Sequence, residues 1–300
     1  MQVTNGQEPC ISVIVPVHNM AGKLGNLEKT LKQSSELELQ IEFLLIQDGM
    51  DSDTTRELQD LSKKYAAQYL QVNFHSPGLT RNSGLAHVKA PWVVFWDSDD
   101  IGNPLEVAQA IAKVNIECQV IIGGYQVQSV LDNRRSKLIR PYRNLNTLIV
   151  NPGLWRFIFR REFIGDVRFP NTSMGEDQVF LSRLNLKKDD VYFIDRLFYT
   201  YFIGSDSQLT NRQDVLLELE SSLAYIQEMI KKNTKIEKYI YIINARLILT
   251  AWKQGVYSNM EFLKQLSGRA RIPLRKRIYW IFAFFKVITF LFLSLRKNKI

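Results

Sequence analysis

Three carboxylates, Asp97, Asp99 and Asp100, follow the apolar run WVVFW and precede IGNP. A continuous apolar run reads as a fully buried strand, so the acids stand together where that strand ends. Carboxylates crowded in this way raise one another's pKa unless a cation neutralises them, and a hard divalent ion, Mg2+ or Mn2+, is the natural partner. If extended geometry persists past the strand, Asp97 and Asp99 lie on one side and face one ligand. A cation held there keeps positions open for diphosphate oxygens and carries the charge that develops on a leaving group. The competing account is a turn rich in Asp that caps a helix starting near Pro104.

Three other segments carry chemistry of the same kind. Asp48 ends the run IEFLLIQ, where its oxygens can accept from a pyrimidine imide or from ribose hydroxyls. The acids that follow, Asp51 and Asp53, are read as helix-start residues, with the cap at Ser52 or Asp53. SPGLTRNSGLAHVKA leads from a loop into a short helix with Arg81 and Asn82 near its start. A helix N-terminus beside a guanidinium is an anion site; a solvated basic face is the alternative. Glu176 and Asp177 precede QVFLSRL, where they either complement a helix dipole or supply a general base, Asp177, kept basic by its neighbour. Of His18, His75 and His87 none has metal-ligand spacing, and only His18, ending the first strand, is placed to reach the same ligand.

These residues need elements to position them. Ile11–Val17, Ile41–Gln47, Tyr69–Phe74, Trp92–Trp96 and Val120–Val127 read as strands, and between them Leu24, Leu27 and Leu31, then Leu58 and Leu61, then Val107, Ile111 and Val114 fall at helical spacing. Alternation of this kind predicts an α/β fold, a Rossmann-like mixed sheet flanked by helices, with ligands beyond the carboxyl ends of the strands. The expected organisation is a catalytic domain over 1–210, its donor half about 10–125 and acceptor half about 126–210. A helical extension follows over 211–268, with helices across 213–232, 236–254 and 260–267, and a basic, aromatic tail over 269–300.

The chain of 300 residues carries a formal net charge of +9. From Phe262 onward there are ten Lys or Arg and no acid, so the preceding 261 residues hold 29 basic against 30 acidic groups. The basicity therefore belongs to the tail, which removes the argument for nucleic-acid binding. Within 271–300 a 17-residue apolar stretch is flanked by basic clusters. Such a segment suits an anionic membrane surface, peripheral or monotopic, at the inner face of the cell membrane. With two separated cysteines and no signal-like start, the expected body is cytoplasmic and its thiols reduced.

In order and spacing these segments resemble the family-2 glycosyltransferases with the GT-A fold, especially bacterial enzymes of capsule, O-antigen and exopolysaccharide assembly. ISVIVPVHN is similar to the family's opening strand, IQDGMDSDTT to its uridine-binding loop, LTRNSGLAHVKAPWVVFWDSDD to its Arg-Asn-x-Gly helix and DxD motif, and MGEDQVFLSRL to its Glu-Asp motif. The resemblance implies an inverting enzyme that moves one sugar from a nucleoside diphosphate, UDP-linked by this loop, to a hydroxyl of a glycan or lipid-linked acceptor. It places Pro16, Val17, Asn19, Asp48, Arg81, Asn82, Asp97 and Ser98 at the donor, and Asp99 with Asp97 and Asp100 at the metal. Asp177 falls at the base position beside Glu176, and Trp155 and Arg160 fall toward the acceptor. The chain departs from the pattern at Gln47, where the family has an aspartate, and in YTYFIGSDSQLT, which lacks the family's Arg and His. The Gln-x-x-Arg-Trp element of processive synthases is missing.

Other activities fit less well. A nucleotide-sugar pyrophosphorylase needs a glycine-rich basic loop after the first strand, where this chain has PVHNMAGKL, and a dehydrogenase needs Gly-x-Gly-x-x-Gly there. A retaining glycosidase leaves the anion site at Arg81 without a purpose. A non-catalytic, membrane-associated nucleotide-sugar adaptor is the reading from a different class.

Overall fold

A computed structural model describes residues 10–267 except 38, 133, 142, 146–147, 149–150, 205–217 and 234, together with 282, 285 and 289. The first half follows the alternation expected of it: β1 (Ile11–Val17), α1 (Gly25–Glu36), β2 (Ile41–Asp48), α2 (Ser52–Tyr65), β3 (Gln68–Val72), α3 (Pro77–Leu85), β4 (Trp92–Phe95), a two-residue β5 (Ile101–Gly102), α4 (Pro104–Ile111) and β6 (Val120–Ser129). The short strand β7 (Phe157–Arg160), one helical turn α5 (Arg161–Ile164), α6 (Glu176–Leu184) and the long strand β8 (Val191–Ile203) follow. The chain continues in α7 (Leu219–Lys232), α8 (Lys238–Lys253) and α9 (Asn259–Ser267), close to the three helices expected there.

The eight strands form one mixed sheet in the order β3-β2-β1-β4-β7-β6-β8-β5. β3, β2, β1 and β4 are parallel neighbours; β7 is antiparallel to both β4 and β6, and β6 and β8 are parallel. The central strands are buried on both faces, which is why they read as unbroken apolar runs. Leu27 and Leu31 of α1 and Leu58 and Leu61 of α2 cover one face, in a core with Val13, Val15, Leu45, Val94 and Trp96. Each such side chain contributes about 1.5–3 kcal/mol by leaving water. The helix that carries Arg81 lies close against the sheet at Gly84, where a Cβ would stand 2.7 Å from the Ile14 side chain.

Two compact units are present. The first comprises Met1–Pro141, Leu154–Asn171 and Asp189–Asp206, and contains the sheet. The second comprises Tyr142–Gly153, Thr172–Lys188 and Ser207–Ile300. The segment that bears Glu176 and Asp177 thus groups with the C-terminal helices. Within that unit α8 is buried nearly all round, and the Tyr239 hydroxyl donates to Leu181 O at 2.7 Å while accepting from Leu186 N–H at 2.9 Å. Among the described residues no helix is long and apolar enough to cross a membrane. Apart from 282, 285 and 289, the expected tail over 269–300 lies outside the described residues.

Candidate active site

The carboxyl ends of β1, β2 and β4 bring Pro16, Val17, Asn19, Asp48, Asp97, Ser98, Asp99 and Asp100 to one edge of the sheet, because these strands run parallel. Arg81, buried in α3, reaches Asp97 there, with Nη2 2.9 Å from Oδ1. Its guanidinium also lies over the Phe169 ring, 5.7 Å from the centroid, within cation–π range. The Asp97 side chain is about one-third exposed, at 34%. A half-open, arginine-bound carboxylate is suited to releasing that arginine to an incoming anion.

The remaining two acids of the cluster have different environments. Burial and the neighbouring Asp97 push the Asp99 carboxyl up to about 6, and its backbone carbonyl accepts from Asn26 Nδ2 at 2.8 Å. Asp100 is buried, and burial followed by Asp99 and Asp97 pushes it up to about 9. One of its oxygens accepts from Phe202 N–H at 2.7 Å, and the Tyr199 hydroxyl also bonds to it. The same hydroxyl accepts from Asp97 N–H at 3.0 Å. Asp100 is therefore held by β8.

Among the described residues no three His, Cys, Asp or Glu side chains form a preassembled metal cage. The donor set nevertheless fits a divalent ion of the Mg2+ type, which binds through one or two carboxylates and completes its shell with water and ligand phosphate. Repulsion between Asp97 and Asp99 is what such an ion would relieve.

Several expected ligand contacts are spent within the protein. Asp48 Oδ1 accepts from Phe74 N–H at 2.7 Å and His75 N–H at 2.9 Å, and Oδ2 from Ser76 N–H and Thr80 Oγ1, each at 2.9 Å. Four donors occupy the carboxylate's four acceptor sites. Against the upward push of burial, these bonds hold Asp48 below the usual carboxylate range. The side chain ties the end of β2 to the start of α3, and so places Arg81. Asn82 is a second tie: its amide donates to Phe169 O at 3.0 Å and accepts from Phe169 N–H at 2.9 Å. Gln47, in place of the expected aspartate, donates to Asp51 O and accepts from Thr55 Oγ1 and Tyr69 OH. The helix cap after it falls on Asp51, which accepts from Thr54 N–H at 2.9 Å, rather than on Ser52 or Asp53.

Trp155 and Arg160 are similarly engaged. Trp155 is buried in a stack, 4.7 Å from Tyr199 and 5.8 Å from Tyr201 between ring centroids, and its carbonyl accepts from Trp96 Nε1. Arg160 lies 4.4 Å over Trp92 and donates from Nε to Cys118 O at 2.6 Å. Both residues shape the sheet's centre. Tyr199 and Asn26, which hold the acid cluster, had no counterpart among the expected site residues; nothing in the spacing of either distinguishes it from a core tyrosine or a helix-surface asparagine.

In the second unit, Glu176 is buried and Asp177 half-buried in the first turn of α6. Asp177 Oδ1 accepts from Gln178 N–H at 2.7 Å. The turn before it is fastened to α7: Ser222 Oγ donates to Met174 O at 2.6 Å and lies 3.1 Å from Thr172 Oγ1, and Ser173 N–H bonds to Glu218.

Acids and a buried arginine gather at the carboxyl ends of the parallel strands of this α/β sheet, the place where ligands bind in folds of this kind. Residues 12–183 match the model of glycosyl transferase family 2, and the chain belongs to that family. It is a glycosyltransferase. The chain is 27% identical over 313 residues to the cholesterol galactosyltransferase of Borreliella burgdorferi, covering 86% of this chain and 84% of that one. Its fold is similar to that of S. aureus TarS 1–349 in complex with UDP-GlcNAc, with a TM-score of 0.60, 19% identity and coverage of 93% of this chain and 80% of the other. It spans about half, 48%, of the longer TarS structure. A mannosyltransferase from Pyrobaculum calidifontis, in complex with GDP-Man and Mn2+, is similar with a TM-score of 0.56 and 13% identity, covering 94% of this chain and 86% of that one.

Proposed function

We propose that this glycosyltransferase moves a single sugar from a UDP-linked donor, with inversion, to a hydroxyl of a lipid-linked or growing bacterial surface glycan. The observation that carries the reading is the pairing of Arg81 with Asp97 beside a half-buried, electrostatically crowded Asp99. Asp99 and Asp97 would hold Mn2+ or Mg2+, which would supply charge neutralisation at the diphosphate and its leaving group. Asp100, tied to β8, positions that pair instead of ligating. When diphosphate enters, Arg81 exchanges Asp97 for the oxygens of a phosphate, which a guanidinium can grip with two N–H donors. Pro16, Val17, Asn19 and Ser98 line the nucleotide at the strand ends, while Asp48 and Asn82 position rather than touch it.

Asp177 takes the acceptor proton as oxygen attacks the anomeric carbon opposite the departing diphosphate, with Glu176 keeping it basic. The acceptor reading draws on the lipid sugar-acceptor in the name of the Borreliella relative. In the tail, Phe282 and Phe285 are exposed on helical turns, which supports docking of 271–300 on an anionic inner-membrane face of a cytoplasmic enzyme.

Calorimetric titration with UDP-sugars, with and without Mn2+, tests the reading. Metal-dependent binding is expected in the wild type, lost in Asp99→Ala. Asp177→Asn should keep donor binding and lower transfer by ~10²–10⁴-fold. Wild-type transfer by Asp177→Asn removes the base assignment, and metal-independent binding by Asp99→Ala removes the metal assignment. An adaptor, the alternative, binds donor and turns nothing over.

A further inference from the structure

We propose that the arm following β6 is a membrane-docking element that seats the donor edge of the sheet on an anionic lipid surface. Past Ser129 the chain turns at Val130–Asp132 and returns antiparallel along β6, bridging Gln128 to Arg135 and Tyr125 to Ile139. Ser129 N–H bonds to Arg134 O at 2.9 Å and Ser136 N–H to Val127 O at 2.8 Å, so the arm is hydrogen-bonded to β6. Its tip is apolar and open: Leu131 is 83% exposed and Val130 47%. Ile203 at the end of β8 adds to the patch, joined to it through Val130 N–H and Ile203 O at 3.0 Å.

Cations surround this tip. Arg134, Arg135, Lys137 and Arg140 lie on the returning strand, all exposed, and no acid falls among them. The acids facing them are Asp132, paired with Arg134 at 2.6 Å, and Asp195, 3.9 Å from Arg140. Arg135 donates to the neutral Gln128 at 2.7 Å, and among the described residues neither it nor Lys137 pairs with an acid. Open aliphatic side chains inside a collar of cations complement a bilayer whose headgroups are anionic, where the tip enters the interface and each cation gains from the surface potential.

Topology makes the location functional. β6 is antiparallel to β7, which is antiparallel to β4, so β6 and β4 run the same way. Ile158 pairs with both Val94 and Ile121, which puts these two on one level. Asp97 stands three residues beyond that level and Ser129 eight, so the arm overhangs the acid cluster by roughly 15 Å at strand rise. A bilayer met by the tip lies on the side of the sheet from which a donor and an acceptor headgroup approach. The inference rests on the donor site proposed at the strand ends, but neither on the assigned base nor on the tail.

The test uses the full chain with Cys10→Ser, carrying an environment-sensitive NBD label on Leu131→Cys, or, as control, on Ile116→Cys. Ile116 is 84% exposed and precedes β6, at the opposite edge of the sheet. With vesicles of phosphatidylglycerol and phosphatidylcholine, emission at 131 should rise several-fold and shift to the blue, with no change at 116 or with phosphatidylcholine alone. Arg135→Gln and Lys137→Gln should each raise the lipid concentration at half-signal by roughly fivefold. A silent label at 131 while the protein sediments with the vesicles overturns the proposal, because the protein then binds by another surface. Absence of sedimentation, or equal signals at 131 and 116, overturns it as well.

Discussion

The hydroxyl of Tyr199 accepts from Asp97 N–H at 3.0 Å and bonds to the Asp100 carboxyl, so one buried atom of β8 holds two members of the acid cluster in place. Tyr199→Phe keeps the ring and its stack on Trp155 but leaves a buried N–H and carboxyl short of a partner. A loss of about 1–3 kcal/mol is expected in urea unfolding, together with weaker donor binding. Unchanged stability would mean that water replaces the hydroxyl without cost.

Asp48→Asn tests the tie between β2 and α3. The amide has one oxygen for four donors, and about 3 kcal/mol of stability should go. The pH dependence follows from the depressed Asp48 carboxyl. Its contribution is present above the ordinary carboxylate pKa of about 4 and is lost as pH falls through the lower folded value. Unfolding of both proteins from pH 7 to pH 2 should therefore show the wild-type advantage shrink with acid; a constant difference would put the effect elsewhere.

Gly102 lies against Trp96, and a Cβ at this position would stand 2.4 Å from the indole ring. Trp96 is fully buried and its Nε1 is bonded to Trp155 O, so the ring has nowhere to move. Gly102→Ala should lower stability by about 1–3 kcal/mol, as overpacked cores do. Thermal unfolding checks this, and a neutral result would show slack around the indole.

Ser222→Ala removes the bonds by which α7 fastens the turn before Glu176 and Asp177. A stability loss of about 1 kcal/mol is expected. If that turn aims the general base, kcat should fall more than donor affinity does. Steady-state kinetics against donor titration separates the two, and a fall in affinity alone would remove the role.

Much of the fold was legible because buried parallel strands and amphipathic helices leave strong periodic signals, as in ISVIVPV and in Leu27 and Leu31. Strands β5, β7 and β8 were not. β7 is four residues long, and β8 alternates in burial along VYFIDRLFYTYFI without a clean apolar run. The acid cluster was visible because like charges at a strand end are chemically costly. Asp48 and Asn82 were visible as polar residues at the right edge, but sequence does not tell whether such a group faces ligand or backbone. Backbone N–H donors from Phe74, His75 and Ser76 have no side-chain signature at all. The same holds for Asn26 and Tyr199, whose roles exist only once the sheet is assembled.

The placement of β8 has a consequence for the order in which the protein matures. Asp97 and Asp100 leave the ribosome about a hundred residues before Tyr199 and Phe202, an interval of roughly 5–20 s at ordinary elongation rates. During that time the nascent acids have neither the phenol nor the amide that later restrains them. Early release of the chain before residue 191 would yield a fragment with its chemistry encoded but its anchorage still unwritten.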